Sequence, residues 1–128
     1  MARLDPLTPV QLEILQAVWD LGAAGATAPE IWQAVARARP LARTTVLTQV
    51  QRLHRKGWLR RRERDGAVVF TAVCDRGEAG QRLAQRFVAD FFAGSASGLV
   101  KSLLGSGKLD RAELRRLKEL LDDAEARR

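Results

Sequence analysis

The dipeptide Asp65-Gly66 constrains this chain more than any other short feature. Both residue types tolerate positive φ, which a two-residue hairpin turn requires at its centre. Val68, Val69, Phe70, Thr71 and Val73 on the far side are strand formers, so the pattern predicts strands over residues 58–64 and 67–73. The first of these holds Arg60, Arg61, Arg62 and Arg64. Four guanidinium groups do not fit a buried central strand, so it is expected to be an exposed edge.

Upstream of the hairpin the period is helical. Thr8-Pro9-Val10-Gln11 has the form of a capping box with proline at the first helical position. Leu12, Ile14, Leu15, Val18, Trp19 and Leu21 then recur at three- and four-residue spacing until Gly22. A second box, Thr27-Ala28-Pro29-Glu30, opens a helix with Ile31, Ala34, Val35 and Ala38 on one face, ended by Pro40. A third helix is expected over residues 43–56, with Val46, Val50 and Leu53 inward and Gly57 closing it. Three short helices followed by a hairpin is the order of a winged helix-turn-helix, here over residues 1–74.

Residues 75–128 read as three more helices. Asp75 is an N-cap, Gly94-Ser95-Ala96-Ser97-Gly98 and Gly105-Ser106-Gly107 are breaks, and Asp110-Arg111-Ala112-Glu113 resembles an Asp-type capping box. The expected fold is therefore mainly α with a small β-hairpin: an N-terminal winged helix-turn-helix, then a helical dimerisation domain. So small a second domain buries too little surface to be stable alone, yet it holds fourteen Leu, Val and Phe residues. Covering them with a second copy is the commonest solution. Leu83, Phe87, Phe91, Phe92, Leu99, Val100, Leu103, Leu104, Leu117 and Leu121 are the expected contacts of a homodimer.

The net charge of +7 is unevenly placed. Residues 37–64 carry ten basic side chains against Glu63 alone, and the flanking segments nearly cancel. A polyanion is the first partner this suggests; a solvated arginine-rich face is the bland alternative. With Val46, Val50 and Leu53 inward, the third helix points Thr44, Leu47, Thr48, Gln51 and Arg55 outward. Short threonines allow close approach to base edges, a methyl can meet thymine, and Gln51 has the two groups that pair with adenine. Thr44, Leu47, Thr48 and Gln51 are thus candidate base-reading residues of a major-groove helix. Arg43, Arg52, Arg55 and Lys56 suit phosphates, as do Arg60, Arg61, Arg62 and Arg64 on the wing. Double-stranded DNA is expected over RNA, since no aromatic-rich strand offers a stacking platform.

Enzyme chemistry finds no purchase. The single histidine, His54, reads as a surface or interface side chain late in the third helix, and nothing pairs it with the single cysteine, Cys74. One Cys and one His cannot furnish a structural zinc site, Asp122 and Asp123 read as solvated, and no cofactor or metal is expected. Trp19, Trp32 and Trp58 are expected to pack the core or bridge the domains. With one cysteine and no apolar run approaching the ~20 residues of a spanning helix, the chain is expected to be cytoplasmic without membrane insertion. Residues 1–6 lack the apolar core of a signal peptide.

Several runs resemble the penicillinase-repressor family of transcriptional regulators. They are Leu7-Thr8-Pro9-Val10-Gln11-Leu12-Glu13-Ile14-Leu15-Gln16-Ala17-Val18-Trp19, Thr44-Thr45-Val46-Leu47-Thr48 and Arg52-Leu53-His54-Arg55-Lys56-Gly57-Trp58-Leu59. Phe91-Phe92-Ala93-Gly94-Ser95, Gly98-Leu99-Val100 and the Leu109-Asp110 to Glu113-Leu114 restart extend the likeness. The resemblance implies a bacterial repressor that dimerises through its C-terminal helices. It implies near-palindromic operators, often with TACA- and TGTA-like halves, in promoters of β-lactamase, resistance or stress genes. It places Thr44, Thr45, Leu47, Thr48 and Arg52 in the DNA-reading helix, which adds Thr45 to the base-reading candidates, while Arg43 stands where members often carry another residue. It further implies a membrane sensor protease pathway that cuts the short helix after the Gly/Ser break, at the position of Ser102-Leu103. That pair differs from the Asn-Phe bond typical of the β-lactam branch, so another cut or another signal stays open. Cysteines clustered near the C-terminus, which copper sensing needs, are absent after Cys74. Two readings compete with the repressor: a winged-helix module that binds an acidic protein, and a nonspecific DNA-compacting protein.

Overall fold

A computed structural model describes residues 6–128. Met1 to Asp5, which hold most of the stretch read as lacking a signal peptide, lie outside the described residues. In chain order come α1 (Pro9–Leu21), α2 (Ala28–Ala36), α3 (Arg43–Arg55), β1 (Leu59–Arg64), β2 (Ala67–Ala72), α4 (Arg76–Phe91), α5 (Ala96–Gly105) and α6 (Arg111–Ala126). This is the mainly helical winged-helix arrangement read from the sequence. No single helix among the described residues is long and apolar enough to cross a membrane.

Both threonine capping boxes are present. Thr8 Oγ1 accepts from the Gln11 N–H at 3.2 Å while Gln11 Oε1 accepts from the Thr8 N–H at 3.1 Å. Thr27 and Glu30 make the same exchange, and the Thr27 N–H, then its hydroxyl, both donating to Glu30 Oε1, hold the Glu30 carboxyl below the ordinary carboxylate range. Asp75 and Asp110 cap α4 and α6 through Glu78 N–H and Glu113 N–H, each at 2.8 Å. One expectation fails at the end of α2. Ala38 lies outside the helix and exposed, because the N–H groups of Ala38 and Arg39 both turn onto Val35 O. Pro40 already disfavours helical backbone at the residue before it.

Asp65 and Gly66 take φ of 52° and 78°, as the turn demands. β1 and β2 pair antiparallel with Leu59 opposite Ala72 and Arg61 opposite Phe70. On the other edge of β2, Ala26 and Phe70 exchange both backbone hydrogen bonds, at 3.0 and 2.8 Å. β2 is therefore flanked on both sides and β1 is the edge, with only Leu59 of its residues buried. Gly25 permits the close approach before Ala26: its φ is +94°, and an added Cβ would stand 3.1 Å from Thr71 Cγ2 and 3.3 Å from Phe70 O.

The core joins Ile14, Leu15 and Val18 of α1, Ile31 and Val35 of α2, and Val46, Val50 and Leu53 of α3 with Trp58, Leu59 and Phe70. Each large side chain buried there contributes about 1.5–3 kcal/mol of transfer free energy. Cys74 and Ala79 complete it, so the first turn of α4 docks on the three-helix core. Trp58 is buried in this core, whereas Trp19 is half-buried at its edge and donates Nε1–H to Cys74 O at 2.9 Å.

The chain divides into two compact units, one closing at Leu83 and the other running from Ala84 to Arg128. The sequence pattern places its division nine residues earlier, before Asp75. Leu83, expected at a self-association surface, instead belongs to the first unit and packs half-buried against its core, one turn beyond Ala79 on the same helix face. In the second unit no residue of α5 or α6 is buried. Phe87, Phe91, Val100, Leu103, Leu104 and Leu121 are exposed, Phe91 to 72%, while Phe92, Leu99 and Leu117 are half-buried. Phe87 packs its ring against Phe91 and Phe92 at centroid distances of 4.9 and 5.8 Å.

Candidate nucleic-acid interface

Burial of Val46, Val50 and Leu53 fixes the rotation of α3 about its axis. The side chains that the three- and four-residue spacing selects, Thr44, Leu47, Thr48, Gln51 and Arg55, are all exposed, and so are Thr45 and Arg52. They divide into two flanks. Thr44, Thr45, Thr48, Gln49 and Arg52 line a shallow hollow of about 290 Å³. Leu47, Gln51 and His54 face the hairpin across an open groove of about 540 Å³.

The opposite wall of that groove is built by the strand register. Residues paired across an antiparallel ladder share a face, so Arg61 lies beside Phe70 on the α3 side while Arg60, Arg62 and Arg64 lie on the other. Arg61, Val68 and Phe70 line the groove, and Thr27, Ala28 and Pro29 at the start of α2 close one end. The wing arginines are thus not equivalent. Arg64 is further set apart because its Nη1 donates to Ala24 O at 2.9 Å, tying the hairpin to the loop before α2.

Lys56 also departs from its expected place among the phosphate-facing cations. It is half-buried, and its ammonium donates to Pro6 O at 2.9 Å and to Gln11 Oε1 at 2.8 Å. Gln11, a buried polar residue at 2% exposure, in turn donates Nε2–H to Gln49 Oε1 at 3.0 Å. Lys56 therefore holds the start of α1 against α3.

The electrostatics of the face are one-sided. α3 contains no acidic residue and β1 only Glu63. The ion pairs among the described residues join Arg39 to Glu13, Arg76 to Asp20, Arg82 to Glu78 and Arg86 to Asp90. None of them uses an arginine of α3 or the hairpin. α3 is also the one helix in the first unit whose first turn has no side-chain cap: Ala42 occupies the N-cap. Its leading N–H groups carry the positive end of the helix dipole without a partner from a capping side chain.

The sequence pattern did not show what two side chains do at this face. Trp32, expected in the core or between domains, packs half-buried against the core and also lies under Arg43, whose guanidinium carbon is 4.7 Å from its ring centroid. His54, expected at the surface or an interface, is exposed and lines the groove beside Gln51 and Arg61. The cap box at Thr27 locates the start of α2, but only the packing of α2 on α3 sets that start beside Leu47. Among the described residues no group of His, Cys, Asp and Glu could hold a metal ion.

A helix-turn-helix whose second helix presents a polar, acid-free face, followed at once by a basic two-stranded hairpin, defines a winged-helix protein of the DNA-binding class. Its sequence matches the penicillinase repressor family over residues 7–123. The chain belongs to that family, whose members are transcriptional regulators and not enzymes. No curated protein shows a significant match to the chain. Among solved structures, it is similar to BpsR of Bordetella bronchiseptica, described for the regulation of its DNA binding by 6-hydroxynicotinic acid. That likeness has 22% identity, covers 92% of this chain and 75% of the other, and has a TM-score of 0.47.

Proposed function

We propose that this repressor acts as a homodimer on a near-palindromic DNA operator and blocks transcription by occupying the promoter. The observation that carries the reading is the exposed face of α3, which holds Thr44, Thr45, Thr48, Gln51, Arg52 and Arg55 and no acid, beside a basic wing. Thr44, Thr45, Leu47, Thr48 and Gln51 read base edges in the major groove. Arg43, Arg52, Arg55, Arg60, Arg61 and Arg62 neutralise phosphates. Lys56 and Arg64, engaged within the fold, contribute indirectly by holding α1 and the hairpin in place. Two copies of α3 must reach successive major grooves about 34 Å apart, which requires a two-fold partner. The uncovered apolar side chains of α5 and α6 supply a surface for it.

The release step in this reading is loss of the dimer. A cut at Ser102-Leu103 would divide α5, where both residues are exposed, and two linked half-site contacts would become separate weak ones. Full-length protein persisting while the target gene is induced by a cell-wall antibiotic would exclude this route and favour a different signal.

Fluorescence anisotropy tests the whole reading, using the duplex upstream of the protein's own gene and a shuffled duplex at two salt concentrations. A preference of about 10³-fold or more, with two chains per site, is expected. Equal binding to both duplexes, lost steeply with salt, would indicate a compacting protein, because phosphate neutralisation carries no sequence information. Binding to neither would turn the basic face toward an acidic protein partner.

A further inference from the structure

We propose that Trp32 is a positioning residue for DNA binding: it holds Arg43 over its ring at the leading end of α3, ready to take a backbone phosphate. The inference rests on the DNA reading above and adds a residue of α2 to it. Three observations lead there. The Arg43 guanidinium carbon lies 4.7 Å from the Trp32 ring centroid, within cation–π range. The ring itself is fixed, because its Nε1–H donates to Leu41 O at 2.7 Å in the turn just before α3. Arg43 nevertheless remains exposed and is the first residue of a helix with no capping side chain.

A guanidinium held over a ring by cation–π attraction can still direct N–H groups outward, and its fork matches two phosphate oxygens. The same contact removes side-chain freedom before DNA arrives, so less is lost on binding. The other arginine held over a ring shows what a purely internal role looks like. Arg76 lies 5.5 Å from the Trp19 ring centroid, and its Nη2 is already 2.7 Å from Asp20 Oδ1. Arg43 has no such carboxylate among the described residues. Beside Arg43, Ala28, Pro29, Thr44 and Leu47 line a mostly apolar hollow of about 220 Å³ that offers it no other charged group.

The experiment is a double-mutant cycle on the full chain, read by anisotropy on the operator-bearing and shuffled duplexes at several salt concentrations. Trp32→Leu is expected to weaken operator binding about threefold to fivefold and to flatten the salt slope by about one per half-site. Trp32→Phe, which keeps an aromatic face, should retain most of the affinity. Arg43→Lys, whose ammonium cannot stack as a plane, should lose about as much as Trp32→Leu. In an Arg43→Ala background, Trp32→Leu should cause no further loss. An equal loss from Trp32→Leu with and without Arg43 would show the ring acting only through the fold, and would overturn the proposal. Unchanged binding in Arg43→Lys would overturn it as well, and that surface variant decides the matter should Trp32→Leu fail to unfold cooperatively on heating. Wild-type chain that binds neither duplex overturns the DNA reading and this clamp together. Wild-type chain that binds while the cycle shows no coupling overturns the clamp alone.

Discussion

Thr48 sits in the middle of the α3 hollow, with Thr44 and Thr45 before it and Arg52 one turn later. In the proposed reading, a short hydroxyl there meets base edges, whereas the arginines around it meet phosphates. Thr48→Ala is therefore expected to lower the ratio of operator to random-duplex affinity by about tenfold, at roughly 1–3 kcal/mol per lost base contact, while random binding holds. Equal losses on both duplexes would remove Thr48 from the reading set. Arg61 behaves oppositely. Its place on the groove wall predicts that Arg61→Ala weakens both duplexes alike and flattens the salt slope by about one per half-site. Cys74 bears on chemistry rather than recognition. Burial first, then the nearby Glu78 carboxylate, pushes its thiol up from the ordinary range. The native thiol should accordingly alkylate far more slowly than in denaturant. Because its folded pKa lies above the unfolded one, the unfolded chain ionises first as pH rises past about 8.5. Stability then falls with rising pH across that window, until the native thiol also ionises.

At the scale of elements, the sharpest constraint is the crossing of the α1–α2 loop with β2. Gly25 allows it by a positive φ and by having no Cβ to strike Thr71 or Phe70 O. Gly25→Ala should destabilise the first unit by about 2 kcal/mol or more, seen as a lowered midpoint of thermal unfolding. Gly66→Ala provides the contrast, since Gly66 shares the positive φ but has nothing within 4 Å of an added Cβ. Its cost should be the smaller, at about 1 kcal/mol. The same loop carries Ala24, which receives Arg64, so a shift at Gly25 would also loosen the wing.

At the scale of the molecule, the second unit is the unfinished part of a single chain. Leu104, Leu120 and Leu121 are 51%, 55% and 65% exposed, apolar side chains that a second copy would cover. Phe91→Asp or Leu103→Asp should shift the monomer–dimer equilibrium toward monomer by at least tenfold in sedimentation equilibrium. Operator affinity should fall with it, since each half-site would then bind alone. A dimer indifferent to both substitutions would move the interface elsewhere.

Much of this was legible in the residues themselves. Thr8, Thr27, Asp75 and Asp110 announce helix starts because a cap is a local contact, made within three residues. Asp65-Gly66 announces the hairpin because its positive φ values are local too, and the apolar spacing in α3 selects its outward face without any knowledge of its neighbours. What the sequence could not contain is the meeting of distant surfaces. Lys56 looks like one more cation in a basic run until α1 brings Gln11 and Pro6 to its ammonium. Leu83 looks like part of a dimer stripe until Ala79 turns that face of α4 onto the core. Trp32 packs against the core as its type suggests, but only the crossing of α2 and α3 lays Arg43 over its ring. Caps, turns and periods are fixed by chemistry within a few residues, so the sequence alone determined them. Which cation is free for DNA depends on contacts between residues up to fifty apart, and only the tertiary structure decided that.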